Sequence, residues 1–147
     1  VAVTAHTYTK LAKSLLDKLA QLETDALKVA LFSAYTVGTT QDTAQFYADV
    51  TAVATESTGT GYTAGGQALT SVALSASGHV YTLTCANPSW TTASFSAAYA
   101  VFYDSTPGSA ATNPLICYWD LGGTQTVTAS TFTLTISGSG LLTLTGA

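Results

Sequence analysis

Gly59-Thr60-Gly61-Tyr62-Thr63-Ala64-Gly65-Gly66-Gln67-Ala68-Leu69-Thr70 divides the chain into two differently composed parts. Before it lies a charged, helix-forming arm followed by one apolar strand candidate. After it, Thr-rich segments alternate apolar and polar residues with almost no charge, the pattern of an antiparallel β-domain whose strands each bury one face. The block itself invites comparison with a phosphate cradle. It lacks the Lys-Ser/Thr ending of a P-loop, however, and Gly59, Gly61, Gly65 and Gly66 do not follow dinucleotide-binding spacing between a strand and a helix. The residues support a structural reading instead: backbone bends at positive φ and close approach of one chain segment to another.

Downstream, strands are expected at Ala68 to Ser75, His79 to Ala86, Ala93 to Tyr103, Pro114 to Leu121, Thr124 to Ala129, Phe132 to Ser137 and Leu141 to Leu144. Ser77-Gly78, Thr106-Pro107-Gly108, Gly122-Gly123 and Gly138-Ser139-Gly140 punctuate them. Upstream, Leu27-Lys28-Val29-Ala30-Leu31-Phe32-Ser33 reads as an internal strand, which brings the total to about eight. Short strands without intervening helical repeats predict a mainly β fold, an antiparallel β-sandwich with a jelly roll or related Greek key as the leading topology.

The arm before it carries Leu11, Leu15, Leu19 and Leu22 at helical spacing, with Leu16 widening the stripe, so one amphipathic helix is predicted over Tyr8 to Leu22. Such a stripe either docks on a neighbour or packs against its own domain. Between Thr39 and Val50, Phe46 and Tyr47 sit in a short helix or ordered loop. The irregular stretch from about 37 to 66 is long enough that part of it is expected to pair as a strand or reach toward a partner. The expected organisation is one domain over 1–147, with a helical arm at 1–25 and a β-sandwich body at 26–147.

At 15.0 kDa, a chain buries roughly two thirds of its extended surface on folding, enough for a self-sufficient core. Only 8% of the residues are charged, against about 25% in ordinary soluble domains. There is no Arg, and Lys10, Lys13, Lys18 and Lys28 all lie in the arm or just beyond it, while the body carries Asp42, Asp49, Glu56, Asp104 and Asp120 without a cation to balance them. A body of that kind does not neutralise phosphates, so nucleic-acid binding is not expected. Neither is a membrane role, since no apolar run approaches the roughly 20 residues of a span and no signal-type leader is visible. Hydroxyls replace charge at the surface, with 28 Thr and 14 Ser. A neutral surface guards poorly against self-association and is easiest to tolerate where an assembly covers it.

Chemistry-bearing constellations are sparse. His6 and His79 are the only candidate bases, no Gly-x-Ser-x-Gly elbow is present, and the scattered acids form no local pair. Cys85 and Cys117 lie in strand-like runs and read as small buried hydrophobes. Neither a metal nor a cofactor is expected, and the chain is not expected to be an enzyme. Trp90, Tyr99, Phe102, Tyr103, Tyr118 and Trp119 either stack on sugars from an exposed row or fill two packed faces.

The order of pieces is also distinctive: Asp25-Ala26-Leu27-Lys28-Val29-Ala30-Leu31, Phe46-Tyr47-Ala48-Asp49-Val50, the glycine block, Trp90-Thr91, Ala98-Tyr99-Ala100-Val101-Phe102-Tyr103-Asp104, Pro114-Leu115-Ile116, Trp119-Asp120-Leu121-Gly122 and Phe132-Thr133-Leu134. Over nearly the whole chain this resembles a widespread family of small structural proteins of tailed bacteriophages. Ala98 and Thr124 stand where that family usually has an Arg and an acid, which removes any salt bridge it makes there. The resemblance implies a virion component of the phage head, assembled in the host cytoplasm. It would be a decoration or cement protein contacting the major capsid protein and further copies of itself. On that reading Leu11, Leu15, Leu19, Leu22, Phe46 and Tyr47 are candidate partner contacts, and a tail or head-tail connector role is the alternative.

Overall fold

The computed structural model describes residues 3–146. Its elements are β1 Thr4–Thr7, α1 Lys10–Leu16, β2 Leu27–Tyr35, α2 Thr40–Thr43, α3 Tyr47–Thr51, β3 Ala54–Glu56, β4 Gln67–Ala68, β5 Ala73–Ser77, β6 Val80–Thr84, β7 Ser89–Asp104, β8 Leu115–Thr133 and β9 Leu142–Thr145. The chain is mainly β, and its strand pairs are antiparallel, in an arrangement consistent with a β-sandwich. The larger sheet runs β1-β8-β7-β2-β3 with β4 also on β2, and the smaller runs β5-β6-β9.

The apolar run in β2 follows from its position. Val29 and Leu31 enter the core shared with Leu83 and Leu141 of the smaller sheet's side, while Ala30 and Phe32 face a second cluster with Ala44, Tyr47 and Val50. A strand buried on both faces has no place for a polar alternation. β7 shows the same division, Phe102 joining the first cluster and Val101 and Tyr103 the second. Tyr118 and Trp119 of β8 likewise face opposite ways. The aromatics are therefore mostly packing residues: Trp90 and Trp119 are buried, and Phe102 lies 5.1 Å from Trp119, ring centre to ring centre.

Several expected boundaries move. Gly122-Gly123 does not end a strand, because β8 continues to Thr133. Ala97 pairs with Gln125 and Tyr99 with Asp120, so the glycines absorb extra residues on one side of the ladder as an irregular bulge. The segment expected as one strand from Ala68 to Ser75 divides at Ser71, where φ is +53°; β4 belongs to the larger sheet and β5 to the smaller. The chain changes sheets at this bend. In the arm, α1 ends at Leu16 rather than continuing to Leu22. Lys18 turns to φ +58°, the Leu19 N–H donates to the Ser14 carbonyl at 2.8 Å and the Lys18 N–H to the Leu15 carbonyl at 3.2 Å, a Schellman-type closure. β1 and β3 are additions to the expected strands. β3 falls in the irregular stretch and pairs with β2.

Phe102 is fully buried between the sheets. Phe102→Ala is expected to lower unfolding free energy by about 3–5 kcal/mol, the usual cost of a large core cavity; urea titration followed by tryptophan fluorescence measures it.

Candidate functional site

The smaller sheet overhangs the core. Its register aligns Leu74, Leu83 and Leu142 in one row and Ala76, Tyr81 and Leu144 in the next, all on one face. Leu83 is buried, but Leu74, Tyr81 and Leu144 are 39%, 50% and 62% exposed. The arm lies opposite, and a groove of about 570 Å³ separates the two, walled by Leu11, Leu15, Leu22, Leu74, Tyr81, Leu83, Leu142 and Leu144. Among the described residues, Glu23 is the one charged residue in its lining. Apolar side chains collected in a groove rather than scattered singly mark a contact surface.

Among the candidate contacts, Leu11 is buried, and Leu15 and Leu22 are half-buried against the same core. Leu19 and Leu16 are exposed, Leu16 at 84%. Phe46 is half-buried, whereas Tyr47 is buried and stacks on Tyr103 at 4.1 Å. The Asp49 carboxylate accepts the Gln45 and Phe46 N–H groups, each at 2.9 Å, and so holds the start of α3. The groove brings Leu11, Leu15 and Leu22 together; Tyr47 belongs to the cluster on the other face of the larger sheet, and Phe46 forms an isolated antiparallel bridge with Pro114. Sequence reasoning did not single out Leu74, Tyr81 or Leu144. Their alternation marks a buried face, and no sequence signal shows where the covering layer ends.

The glycine block is bound to the larger sheet at two points. The Ser94 N–H donates to the Thr60 carbonyl at 2.9 Å, and a Cβ on Gly59 would lie 2.1 Å from the Ser94 carbonyl oxygen. At the other end the Leu69 N–H donates to the Leu27 carbonyl at 2.8 Å, and a Cβ on Gly66 would lie 1.8 Å from the Val29 oxygen. Between them, Glu56 Oε1 accepts the Tyr62 hydroxyl at 2.7 Å and the Gly65 N–H at 2.5 Å. Tyr62 in turn accepts the Leu31 N–H at 2.9 Å, and the Tyr103 hydroxyl donates to the Gly65 carbonyl at 2.7 Å. Burial, with the Glu56 carboxylate adding to it, raises the Tyr62 and Tyr47 hydroxyls above the ordinary phenol range and Tyr103 up to about 12. All three remain protonated at neutral pH.

A second polar cluster sits where β2 leaves the arm. Asp104 is buried, its Oδ1 accepts the Thr106 N–H at 2.8 Å, and its Oδ2 has no protein hydrogen-bond partner. Burial pushes its carboxyl up to about 6, the neighbouring Asp25 adds to the rise, and the Thr106 N–H opposes it. His79 occupies the exposed turn between β5 and β6, and His6 stacks on Tyr118 at 4.9 Å. Cys85 and Cys117 are free thiols, and burial raises both. Among the described residues, no group of three or more His, Cys, Asp or Glu is placed to hold a metal ion, and no helix is long and apolar enough to cross a membrane.

The chain matches no protein-family model, and neither the curated proteins nor the solved structures contain a match to it.

Gly66→Ala combines a left-handed non-glycine residue, about 1–2 kcal/mol, with overpacking, about 1–3 kcal/mol. Gly108→Ala is the control, because Gly108 has φ +84° but nothing within 4 Å of the added Cβ. Chemical denaturation is expected to show the larger loss for Gly66→Ala by at least about 1 kcal/mol. For Asp104, a folded-state value raised from 3.8 to about 6 gives a contribution to stability that is full below pH 4 and lost as pH rises through 6. Asn keeps an acceptor for Thr106 and gains a donor toward Asp25. Asp104→Asn is therefore expected to melt about 2–4 °C above the parent at pH 7, the response to roughly 1 kcal/mol, and the advantage disappears at pH 4; thermal melts at the two pH values test this.

Proposed function

We propose that this chain is a non-enzymatic structural protein of a tailed-phage virion. It decorates the head, contacting the major capsid protein at capsomer junctions and cementing the lattice in concert with further copies of itself. The observation that carries the reading is the open apolar groove on a body almost free of charge. Its walls bring apolar area to an interface without stranding unpaired ions, whose burial is costly. Many copies of a modest contact, repeated over a lattice, hold collectively through multivalency. The resemblance through the glycine block and the Ala98-Tyr99-Ala100-Val101 segment supports the same reading.

In this reading the arm and the segment Val37 to Thr58 adapt to the capsid, and the paired sheets form the rigid body. The jelly-roll or Greek-key class belongs to the proposal as well. Its support is the pairing of β2 with β7, strands remote in sequence, beside the β7–β8 hairpin. A tail or head-tail connector role rests on the same resemblance. A sugar-binding module is less well supported, because a stacking row needs several exposed tryptophans or tyrosines, and Trp90, Tyr103, Tyr118 and Trp119 are buried while Tyr81 stands exposed by itself on the smaller sheet.

The test is the copy number of this chain per major capsid protein in purified particles separated into heads and tails. A lattice multiple in the head fraction is the expected result. A few copies confined to tails would overturn the cement role.

A further inference from the structure

We infer that two copies of this chain pair antiparallel along β5, joining their three-stranded sheets into one six-stranded sheet about a two-fold axis at Ser75. This stands independently of the capsid reading.

β5 is the unguarded edge of the smaller sheet. Among the described residues it pairs only with β6, all five of its residues are exposed, and its register with β6 runs from Ala73↔Thr84 to Ser77↔Val80 without a bulge. Natural edges are commonly protected by Lys, Pro or a bulge, and Ala73-Leu74-Ser75-Ala76-Ser77 has none of these. The opposite edge, β9, is different: Leu142, Thr143 and Leu144 all line the groove beside the arm, while among the described residues Leu74 is the only one of β5 that does.

The strand is also self-complementary. Antiparallel pairing centred on Ser75 places Leu74 beside Ala76 of the second copy and Ala73 beside Ser77. Leu74 and Ala76 share a face, so the rows Leu74-Leu83-Leu142 and Ala76-Tyr81-Leu144 continue across the axis on one side of the joined sheet. A slip by one residue sets leucine against serine and turns one copy's apolar face outward, and a slip by two leaves part of the five-residue strand unpaired, so the register centred on Ser75 is the one that pairs all of β5. An axis of this kind satisfies the isologous requirement that each contact be made twice.

Charge selects a copy of the same chain over an acidic or basic partner. Neither Ala73–Thr84 nor Leu142–Thr145 contains Asp, Glu, Lys or Arg. Beyond Lys28 the body carries acids and no further cation, so two copies approaching body to body through those acidic faces bring like charges together. Along β5 they meet without repulsion, and each shields part of the other's exposed Leu74.

Sedimentation over a concentration series is expected to show a particle of twice the 15.0 kDa chain mass. The double variant Leu74→Lys/Ala76→Lys should sediment as a monomer with an unchanged far-ultraviolet spectrum, because both side chains are exposed. Ser75→Cys reports the register directly: air oxidation should link it to itself across the axis as a reducible dimer. Ser77→Cys, facing Ala73 of the second copy, should remain largely unlinked and also measures any cross-linking through Cys85. A parent that stays monomeric throughout the series would overturn the inference. So would a dimer that persists in the double variant, or one in which Ser77→Cys links as readily as Ser75→Cys.

Discussion

The structure depends on how the outer edge of β2 is satisfied. β2 is the most buried strand of the larger sheet, with β7 along one side, yet no single strand runs along the other. β3 pairs from Phe32 to Tyr35 and β4 at Lys28 and Val29. Between them the Ser57 N–H donates to the Leu31 carbonyl at 2.9 Å, and the Leu31 N–H donates to the Tyr62 hydroxyl. An interior edge left open would strand backbone groups at a cost of roughly 1–3 kcal/mol each. The glycine block is the means of closing it. Gly66 passes so near Val29 that no side chain fits, and Glu56 fixes the loop through Tyr62 and Gly65.

Closing that edge also directs the chain into the smaller sheet. After β4 the backbone bends at Ser71 and enters β5, so the block that completes one sheet begins the next. The segment between β2 and β3 covers the larger sheet's second face with Ala44, Tyr47 and Val50. Both faces of β2 are then buried, and the strand has no polar period. The smaller sheet has one covered face, and that cover ends before its far row, leaving Tyr81 and Leu144 at the mouth of the groove. Within one molecule the interior polar edge is closed and the surface apolar edge is not.

A nearly neutral exterior is compatible with the proposed assembly. Lys13 and Asp17 form an ion pair on the exposed side of α1, while the groove and β5 carry almost no charge. Repulsion, the usual protection against association, is weak there. A surface of hydroxyls and aliphatic rows suits a chain whose free faces are covered by neighbours, whether those are copies of itself or another lattice.

The sequence by itself determined the β class, the internal position of Leu27 to Ser33, the two-faced placement of Val101, Phe102, Tyr118 and Trp119, and the division of charge between arm and body. Each is a local property of period or composition, legible because side chains in a strand alternate regardless of what they meet. Tertiary structure alone decided the rest. Gly122-Gly123 became a bulge because β7 supplies a continuous partner on one side, not because the glycines lack turn propensity. The Leu stripe of the arm stopped at a Schellman closure that places Leu15 and Leu22 over the core and leaves Leu16 outside. The groove was invisible for the same reason: Leu74, Tyr81 and Leu144 have the pattern of buried residues, and only the extent of the opposing layer determines whether water reaches them.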